Sequence, residues 1–331
     1  MRRLAFLSGL LLFLLVGCSR SLAKEEKPLL ILRYADNQPI DYPTTTAARY
    51  FSALVSDRTE GKIQIRVFGG GELGEELEVL DQVAYGGVDF SRFSLGTFSK
   101  FQPQTKVLQL PYLYRDSAHM WRVLDGPIGE AFLASMQRYG AVGLCWFDAG
   151  ARSFYTIEPV NRLEDLQGKV IRVQESDLMS EMIRLLGARS VQIPYGSVYS
   201  ALQTHKIDGA ENNIPSYQFT GHYEAAPYLF LDEHFRLPEV VLMSFAAKGK
   251  IAMVEPSFVG VVMQCAKEAS LYERELWRKA ELECEEKLKA SGCTITYPEQ
   301  AEIARWREAM RGIYDQFAGE DAEIIRQIQS Q

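Results

Sequence analysis

The chain has 331 residues, of which 47% are hydrophobic and 24% charged, and its formal net charge is -7 at pH 7. This length is enough for two ordinary domains or one large one, with a sizeable apolar core. The acidic balance and the lack of a basic stripe argue against a nucleic-acid-binding protein. Because an acidic protein that binds an anion must concentrate positive charge locally, single arginines are the candidates for an anion site.

The first 18 residues have the features of a secretory signal. Two arginines precede an apolar stretch, residues 4–16, that is too short to span a bilayer comfortably. The sequence Leu15-Val16-Gly17-Cys18 is similar to a bacterial lipoprotein signal, so we expect residues 1–18 to be a signal peptide and Cys18 to carry lipid. Lipid would be the only membrane anchor and would hold the protein outside the cytoplasm. The alternative is an ordinary signal peptide cut near Ala23.

The rest of the chain alternates between short apolar runs and helical patterns. A strand–helix–strand–helix rhythm predicts an α/β fold with parallel strands, and its recurrence after residue 150 predicts two lobes. The predicted strands are 29–34, 63–68, 88–90, 141–147, 169–173, 191–193 and a strand end at 209–210. The predicted helices in this region are 44–59, 75–85, 176–186 and 195–204.

A further helical pattern runs almost unbroken over residues 255–290, with Pro256 at its start and Gly292 just past its end. About 35 residues with a rise of about 1.5 Å each give a helix on the order of 50 Å long, which exceeds the diameter of one lobe. The apolar positions do not keep a clean heptad, which disfavours a coiled coil. We therefore expect this helix to lie along both lobes.

The sequence contains no pattern that is typical of catalysis. It lacks a Gly-x-Ser-x-Gly elbow and a His-Glu-x-x-His zinc helix, and Gly69-Gly70-Gly71 lacks the lysine and hydroxyl of a phosphate-binding loop. We expect neither a cofactor nor a metal, because the histidines show no ligand spacing and are more typical of surface or packing positions. They are His119, His205, His222 and His234.

The cysteines after Cys18 also match no zinc site. Cys265 and Cys284 fall on the long predicted helix too far apart to bond each other, whereas Cys284 and Cys293 could meet across its end. For these residues and Cys145 we expect mostly buried or partly buried free thiols.

Arg172 is the strongest candidate for binding an anion. It follows Val170-Ile171 in a short apolar strand, so it should lie near the carboxyl end of that strand, where open α/β sheets bind ligands. Its planar guanidinium fits a carboxylate bidentately, and such a charge-assisted contact contributes about 1.5–3 kcal/mol. The alternative is an internal salt bridge with one of the many glutamates.

Three short motifs carry a resemblance to a known family: Gly150-Ala151-Arg152, Gly168-Lys169-Val170-Ile171-Arg172 and Asp208-Gly209-Ala210-Glu211-Asn212-Asn213. Over about residues 29–320 the chain resembles the solute-binding proteins of tripartite ATP-independent periplasmic (TRAP) transporters. The resemblance implies a two-lobed α/β fold like that of periplasmic binding proteins, with the long helix spanning both lobes. Lobe I would comprise residues 29–149 plus 238–277, and lobe II residues 150–237 plus 278–331.

The same resemblance implies a receptor and not an enzyme. Such a receptor closes around a small carboxylate by hinge motion and passes it to integral membrane permease subunits. Arg172 would bind the carboxylate, and Arg152, placed after the strand predicted to end at Phe147, would be a second arginine for the same ligand. Asn212 would contribute its amide, with the alternative that an asparagine here caps the helix starting near Ile214.

Further polar residues match the family more loosely. They fall where the first lobe should meet the cleft or close to the motifs of the second lobe, and carboxylates and an aromatic ring there suit a ligand with hydroxyls. The additional candidate ligand contacts are Asn37, next to Asp36, and Glu76, Arg92, Glu175, Tyr195 and Glu239.

Two segments are similar to the branch of this family that binds uronic acids such as glucuronate and galacturonate. They are Arg172-Val173-Gln174-Glu175-Ser176 and Glu233-His234 followed by Leu237-Pro238-Glu239. The expected ligand is therefore a hexuronate. A receptor of the same fold for a C4-dicarboxylate or 2-oxo acid is one alternative, and a secreted uronate-acting enzyme that uses Glu76, Glu175 and Glu239 is another.

Overall fold

The computed structural model describes residues 27–317 and 321–331; the predicted signal peptide and Cys18 lie outside these ranges. The strands are β1 (Leu30–Ala35), β2 (Ile63–Phe68), β3 (Phe90–Ser94), β4 (Ala141–Thr156), β5 (Val170–Val173), β6 (Arg189–Gln192), β7 (Gly209–Asn213), β8 (Tyr228–Ser244) and β9 (Thr294–Thr296). The α-helices are α1 (Pro43–Arg58), α2 (Glu76–Tyr85), α3 (Leu95–Phe98), α4 (Ser117–Leu124), α5 (Pro127–Ser135), α6 (Asp177–Leu185), α7 (Val198–Gln203), α8 (Ile214–Phe219), α9 (His222–Ala225), α10 (Phe245–Val254), α11 (Phe258–Ala290), α12 (Gln300–Ala309), α13 (Gly312–Phe317) and α14 (Ala322–Ser330).

The strands of the described residues form one sheet in the order β2-β1-β3-β8-β4-β7-β5-β6, with β9 beside β8. Within each half the strands are parallel, as predicted: β1 pairs with β2 and β3, and β5 pairs with β6 and β7. The prediction of parallel strands is wrong in the middle of the sheet, because β8 runs antiparallel to β3 and β4, and β4 antiparallel to β7. The two α/β halves are therefore joined by a pair of antiparallel strands.

Those two joining strands, β4 and β8, are the longest in the sheet, with 16 and 17 residues. The strand predicted at 141–147 continues as β4 to Thr156, so the predicted end at Phe147 is wrong. The pairing shifts register between Asp148 and Ala151, where Gly150 has a φ of 63° and its N–H donates to Asp148 Oδ1 at 2.7 Å. The polar and glycine residues that looked like a strand end instead form a bulge, which bends the strand without ending it.

Two other predicted strands are longer than expected for a related reason. The strand predicted at 88–90 is β3, which extends to Ser94, and the strand end predicted at 209–210 is the start of β7. Arg92 and Glu211 lie inside these strands, and each takes part in a buried ion pair. A polar residue that is satisfied in this way can occupy a buried strand, although its sequence pattern suggests an end.

The remaining predicted elements are found with small shifts at their ends, except that Tyr195–Ser197 forms a 3-10 turn ahead of α7. The long helix is confirmed as α11, which has 33 residues and begins after Pro256. Val262 on α11 packs with the apolar residues of the β1–β2 half, whereas Leu288 packs with those of the β7 half. The helix therefore lies along both halves of the sheet, as predicted.

One large apolar cluster also crosses from one half to the other. It contains Phe93 of β3, Trp146 of β4, Ile171 of β5 and Trp306 of α12, and the Trp306 ring stacks on Phe230 with ring centres 4.7 Å apart. The core that supports the two halves is therefore continuous.

The C-terminal helices return to the segment that follows the 3-10 turn Pro103–Gln109. Tyr314 Oη donates to the Pro111 carbonyl oxygen at 2.8 Å, and His119 Nε2 lies 2.8 Å from the Ile328 carbonyl oxygen. The chain end, which the sequence assigns to lobe II, thus contacts residues assigned to lobe I.

The cysteines after Cys18 are free: Cys145, Cys265 and Cys284 are buried and Cys293 is half-buried. The expectation of free thiols is confirmed, and the possible bond between Cys284 and Cys293 is not formed. None of the helices within residues 27–317 and 321–331 has a stretch apolar and long enough to pass through a membrane.

Candidate ligand-binding site

A polar cavity lies between the two halves of the sheet. The structure brings all nine candidate ligand contacts to its wall: Asn37, Glu76, Arg92, Arg152, Arg172, Glu175, Tyr195, Asn212 and Glu239. Residues that are distant in sequence therefore share one site.

Arg172 lies next to the carboxyl end of β5 and is 3% exposed. Its Nε donates to the Ile193 carbonyl oxygen at 2.8 Å, and this is the one hydrogen bond of the Arg172 side chain among the described residues. No carboxylate in that part of the chain forms an ion pair with it, so the predicted alternative of an internal salt bridge is not found there. Burial lowers the pKa of Arg172, and nearby Arg152 lowers it further. A buried cation without a counter-ion is costly, and this cost favours the approach of an anion.

Arg152 differs from Arg172 because it has its own carboxylate. It is 1% exposed, and its Nε and Nη2 donate to the two Glu211 carboxylate oxygens at 2.5 and 2.8 Å. Arg152 lies opposite Asn213 in the β4–β7 pair, which places Glu211 diagonally across from it. Its Nη1 donates to Asn212 Oδ1 at 2.8 Å, which leaves one Nη1 hydrogen for a ligand.

Asn212 and Asn213 have separate roles. The side-chain oxygen Oδ1 of Asn212 accepts from Arg152 Nη1 and from the Asn213 N–H, so the hydrogens of the side-chain amide remain for the cavity. Asn213 is the N-cap of α8, since its Oδ1 accepts from the Ser216 N–H at 2.7 Å. The helix cap considered for this pair of asparagines therefore belongs to Asn213.

Arg92 is the centre of a buried ionic cluster on the other side of the cavity. It is 1% exposed and forms ion pairs with Asp36, with Glu76 at 2.8 Å and with Glu239 at 2.9 Å. Its Nη2 also donates to Asn37 Oδ1 at 2.6 Å. The four Nη hydrogens of Arg92 are thus engaged by protein groups. Arg92 lines the cavity, but in this arrangement it chiefly orients the carboxylates around it.

Burial changes the pKa of three side chains of the cavity wall. Burial raises the pKa of Glu239 to about 8; Arg92 opposes this, while Glu76 and Asp36 add to it. Burial also raises the pKa of Glu175, which is half-buried, and that of Tyr195. When the pKa of a carboxyl group is raised, a larger fraction of the group is neutral near neutral pH, and the neutral form can donate a hydrogen bond.

Side chains from the two halves meet beside the cavity. Tyr42 Oη, just before α1, is 2.9 Å from Ser216 Oγ and donates to Asn213 Oδ1 at 3.3 Å. The Gly196 N–H donates to Glu75 Oε1 at 3.2 Å. Sequence reasoning did not identify Tyr42, because nothing in the pattern around a helix start marks a contact with a segment 171 residues away.

Several further residues of the cavity wall were not predicted. Some, such as Gln174 and Asn213, adjoin the predicted motifs, and this proximity was the signal available for them. The residues missed are Gln38, Glu75, Ser94, Thr97, Gln174, Asn213 and Ser216.

In the described ranges, no group of three or more histidine, cysteine, aspartate or glutamate residues could hold a metal ion. Two histidines have packing positions instead. His119 is buried, and His222 Nδ1 lies 2.8 Å from Tyr155 Oη, where burial lowers the pKa of His222 to about 3.

Comparisons with known proteins show which proteins this chain is similar to. Residues 34–321 match the DctP family, bacterial extracellular solute-binding protein, family 7. A solute-binding protein of Chromohalobacter salexigens is 34% identical over 287 residues, which span 86% of this chain and 84% of that protein.

Solved structures of TRAP periplasmic solute-binding proteins have the same fold. The protein from Xanthobacter autotrophicus, solved with bound β-D-galacturonate, is 41% identical with a TM-score of 0.86, and the match covers 90% of this chain and 99% of that chain. The protein from Pseudomonas putida, solved with bound D-glucuronate, is 34% identical with a TM-score of 0.87, and the match covers 91% and 97% of the two chains.

Proposed function

Because the chain belongs to the DctP family of bacterial extracellular solute-binding proteins, the receptors of TRAP transporters, we propose that it binds a hexuronate such as glucuronate or galacturonate. The observation that carries the proposal is the buried guanidinium of Arg172, which lines a polar cavity and has no carboxylate partner among the described residues. Relatives of the same fold with bound uronates support the choice of ligand.

In this proposal the ligand carboxylate binds to Arg172. The amide hydrogens of Asn212 and the remaining Nη1 hydrogen of Arg152 add donors at the same end of the cavity. The hydroxyls of the sugar acid face the carboxyl groups of Glu76 and Glu239 beside Arg92, and they form hydrogen bonds with these groups. The ligand is thus oriented by opposite charges at the two ends of the site.

We propose that the receptor closes by a hinge. Lobe I would comprise residues 29–149 plus 238–277 and lobe II residues 150–237 plus 278–331, joined by β4 and β8. The contact of Tyr42 with Ser216 would form on closure. Closure seals the ligand from water and creates the surface that membrane permease subunits recognise.

The proposal assigns no catalytic step to the protein. Glu76 and Glu239 both accept from the same Arg92 nitrogen, which suits them to fixed positions better than to proton transfer. Lipid on Cys18 would hold the receptor at the membrane. Mass spectrometry of the mature protein tests this anchor, and an N-terminus other than acylated Cys18 would contradict it.

Calorimetric titration of the purified protein with glucuronate and galacturonate tests the ligand. We expect saturable binding of at least one of them, no binding of glucose, which lacks the carboxylate, and weak binding of succinate and of a 2-oxo acid such as pyruvate. Failure of both uronates to bind would refute the proposal. Recovery of a chemically altered uronate after incubation would favour an enzyme.

A further inference from the structure

The cavity has an acidic end, where Glu76 and Glu239 of its wall and the buried Asp36 form ion pairs with Arg92. The three carboxylates are 3%, 8% and 5% exposed, and Arg92 is 1% exposed. Three buried carboxylates facing one guanidinium leave an excess of negative charge, which is costly in a site that is shielded from water. The cost falls if one carboxylate takes up a proton.

The two oxygens of Glu239 are in different environments. Oε1 accepts from Arg92 Nη1 at 2.9 Å, whereas Oε2 is buried and has no hydrogen-bond partner among the described residues. Glu239 lines the cavity. A neutral carboxylic acid matches this arrangement, since its carbonyl oxygen accepts from the guanidinium and its hydroxyl donates into the cavity.

The charged and titratable groups around Glu239 come from every neighbouring element. Two are arginines, but one of them, Arg152, is already paired with Glu211. The groups are Arg92 of β3, Arg152 of β4, Glu76 of α2, Asp36 after β1, Glu273 of α11, Tyr34 of β1 and Tyr42 before α1. The carboxyl groups in this set outnumber the one arginine, Arg92, that is not paired with a residue outside it. Burial raises the pKa of Glu239 to about 8.

We propose that Glu239 is a specificity-determining residue that binds the ligand as a neutral carboxylic acid, with its Oε2 hydroxyl donating to a hydroxyl oxygen of the sugar acid. The inference rests on the proposed function of the same site. Because the ligand carboxylate is held by Arg172 at the other end, a ligand with carboxylates at both ends would place its second one against Glu76 and Glu239, with Asp36 close to them. The acidic end therefore rejects the dicarboxylate counterparts of a hexuronate and accepts hydroxyls.

The inference predicts how affinity depends on pH. The ligand carboxylate and Arg172 remain ionised between about pH 6 and about pH 9, so neither changes the affinity in this range. As the pH rises through about 8, Glu239 loses its proton and the hydrogen bond to the ligand. The Kd for the hexuronate should be constant at low pH and rise by up to about tenfold per pH unit above this point.

Calorimetric titrations of wild type, Glu239→Gln and Glu239→Ala across this pH range test the inference. The glutamine amide can accept from Arg92 and donate to the ligand but does not titrate, so Glu239→Gln should recover much of the affinity lost in Glu239→Ala and should lack the rise in Kd. Glucarate, with a carboxylate at each end, should bind wild type at least about 30-fold more weakly than glucuronate.

Glu281→Gln is a matched control, because burial raises the pKa of Glu281 to about 7 but this residue does not line the cavity. It should keep the wild-type rise in Kd. A rise that persists in Glu239→Gln, or that is absent from wild type, overturns the inference, as does equal binding of glucarate and glucuronate. Failure of any uronate to bind wild type at any pH would instead refute the proposed function.

Discussion

Replacing Arg172 by alanine should abolish tight binding of a hexuronate while leaving the fold intact. The guanidinium is 3% exposed, lines the cavity and makes one hydrogen bond to the protein, to the Ile193 carbonyl oxygen. The ligand carboxylate would lose its contact with Arg172. Among the described residues, Arg172 is the arginine of the cavity wall that has no protein carboxylate as a partner.

The magnitude follows from the burial of this contact. Removing one partner of a buried, hydrogen-bonded charge pair costs about 2–5 kcal/mol of binding free energy. Because 1.4 kcal/mol corresponds to about a tenfold change in Kd, Arg172→Ala should raise the Kd at least about 30-fold. The ligand-free variant should be no less stable than wild type, since the substitution removes a buried cation that lacks a counter-ion among the described residues.

Calorimetry gives the Kd, and thermal unfolding with and without ligand gives the stability of each form. Arg184→Ala is a suitable control because Arg184 lies on α6, close to Arg172 in sequence, but its side chain is 67% exposed and pairs with Glu181. Its effect on the Kd should be less than about twofold. Binding by Arg172→Ala within about threefold of wild type, in a protein that unfolds like wild type, would refute the role given to Arg172.

Two further predictions concern closure and stability. Tyr42 does not line the cavity, but Tyr42→Phe removes the hydroxyl that contacts two residues of its wall, Ser216 and Asn213. The variant should weaken ligand binding by about fivefold, mainly through faster dissociation in stopped-flow measurements. Tyr50→Phe, on the exposed side of α1, is the control, and equal rates for the two variants would contradict a closing contact. Glu211→Ala leaves the buried Arg152 without its carboxylate and should lower the free energy of unfolding by about 3–5 kcal/mol in urea, whereas Glu181→Ala at a surface pair should lower it by no more than about 1 kcal/mol; similar losses in both would show that the buried pair is not special.

The sequence predicts much of the second half of the site and less of the first. Arg172 could be identified because a short apolar strand fixes its place at a strand end, and Asn212 because it lies in a compact motif that carries the family resemblance. These predictions depend on local patterns. Arg172 and Asn212 are placed at the cavity by the strands that carry them, β5 and β7, so predicting each strand is enough to place its residue.

The cluster around Arg92 could be predicted only as separate residues. Its members come from sequence positions 36 to 239, and they meet because β1, β3 and β8 are neighbours in the sheet. Strand order is set by long-range packing and not by local pattern, so the sequence does not reveal that Glu239 shares a nitrogen of Arg92 with Glu76. For the same reason the sequence does not predict β8, whereas it predicts β4 too short because Gly150 and the polar residues beside it resemble a strand end.

The apolar cluster that runs from Phe93 through Trp146 to Ile171 and Trp306 restricts how such a receptor can acquire a new specificity. The cluster contains buried side chains from both halves, so transplanting one half from a paralogue would create packing mismatches where the two halves meet. Changes to single side chains at the cavity wall avoid this mismatch. Divergence of ligand preference in proteins built this way should therefore proceed by point substitution and not by recombination of halves.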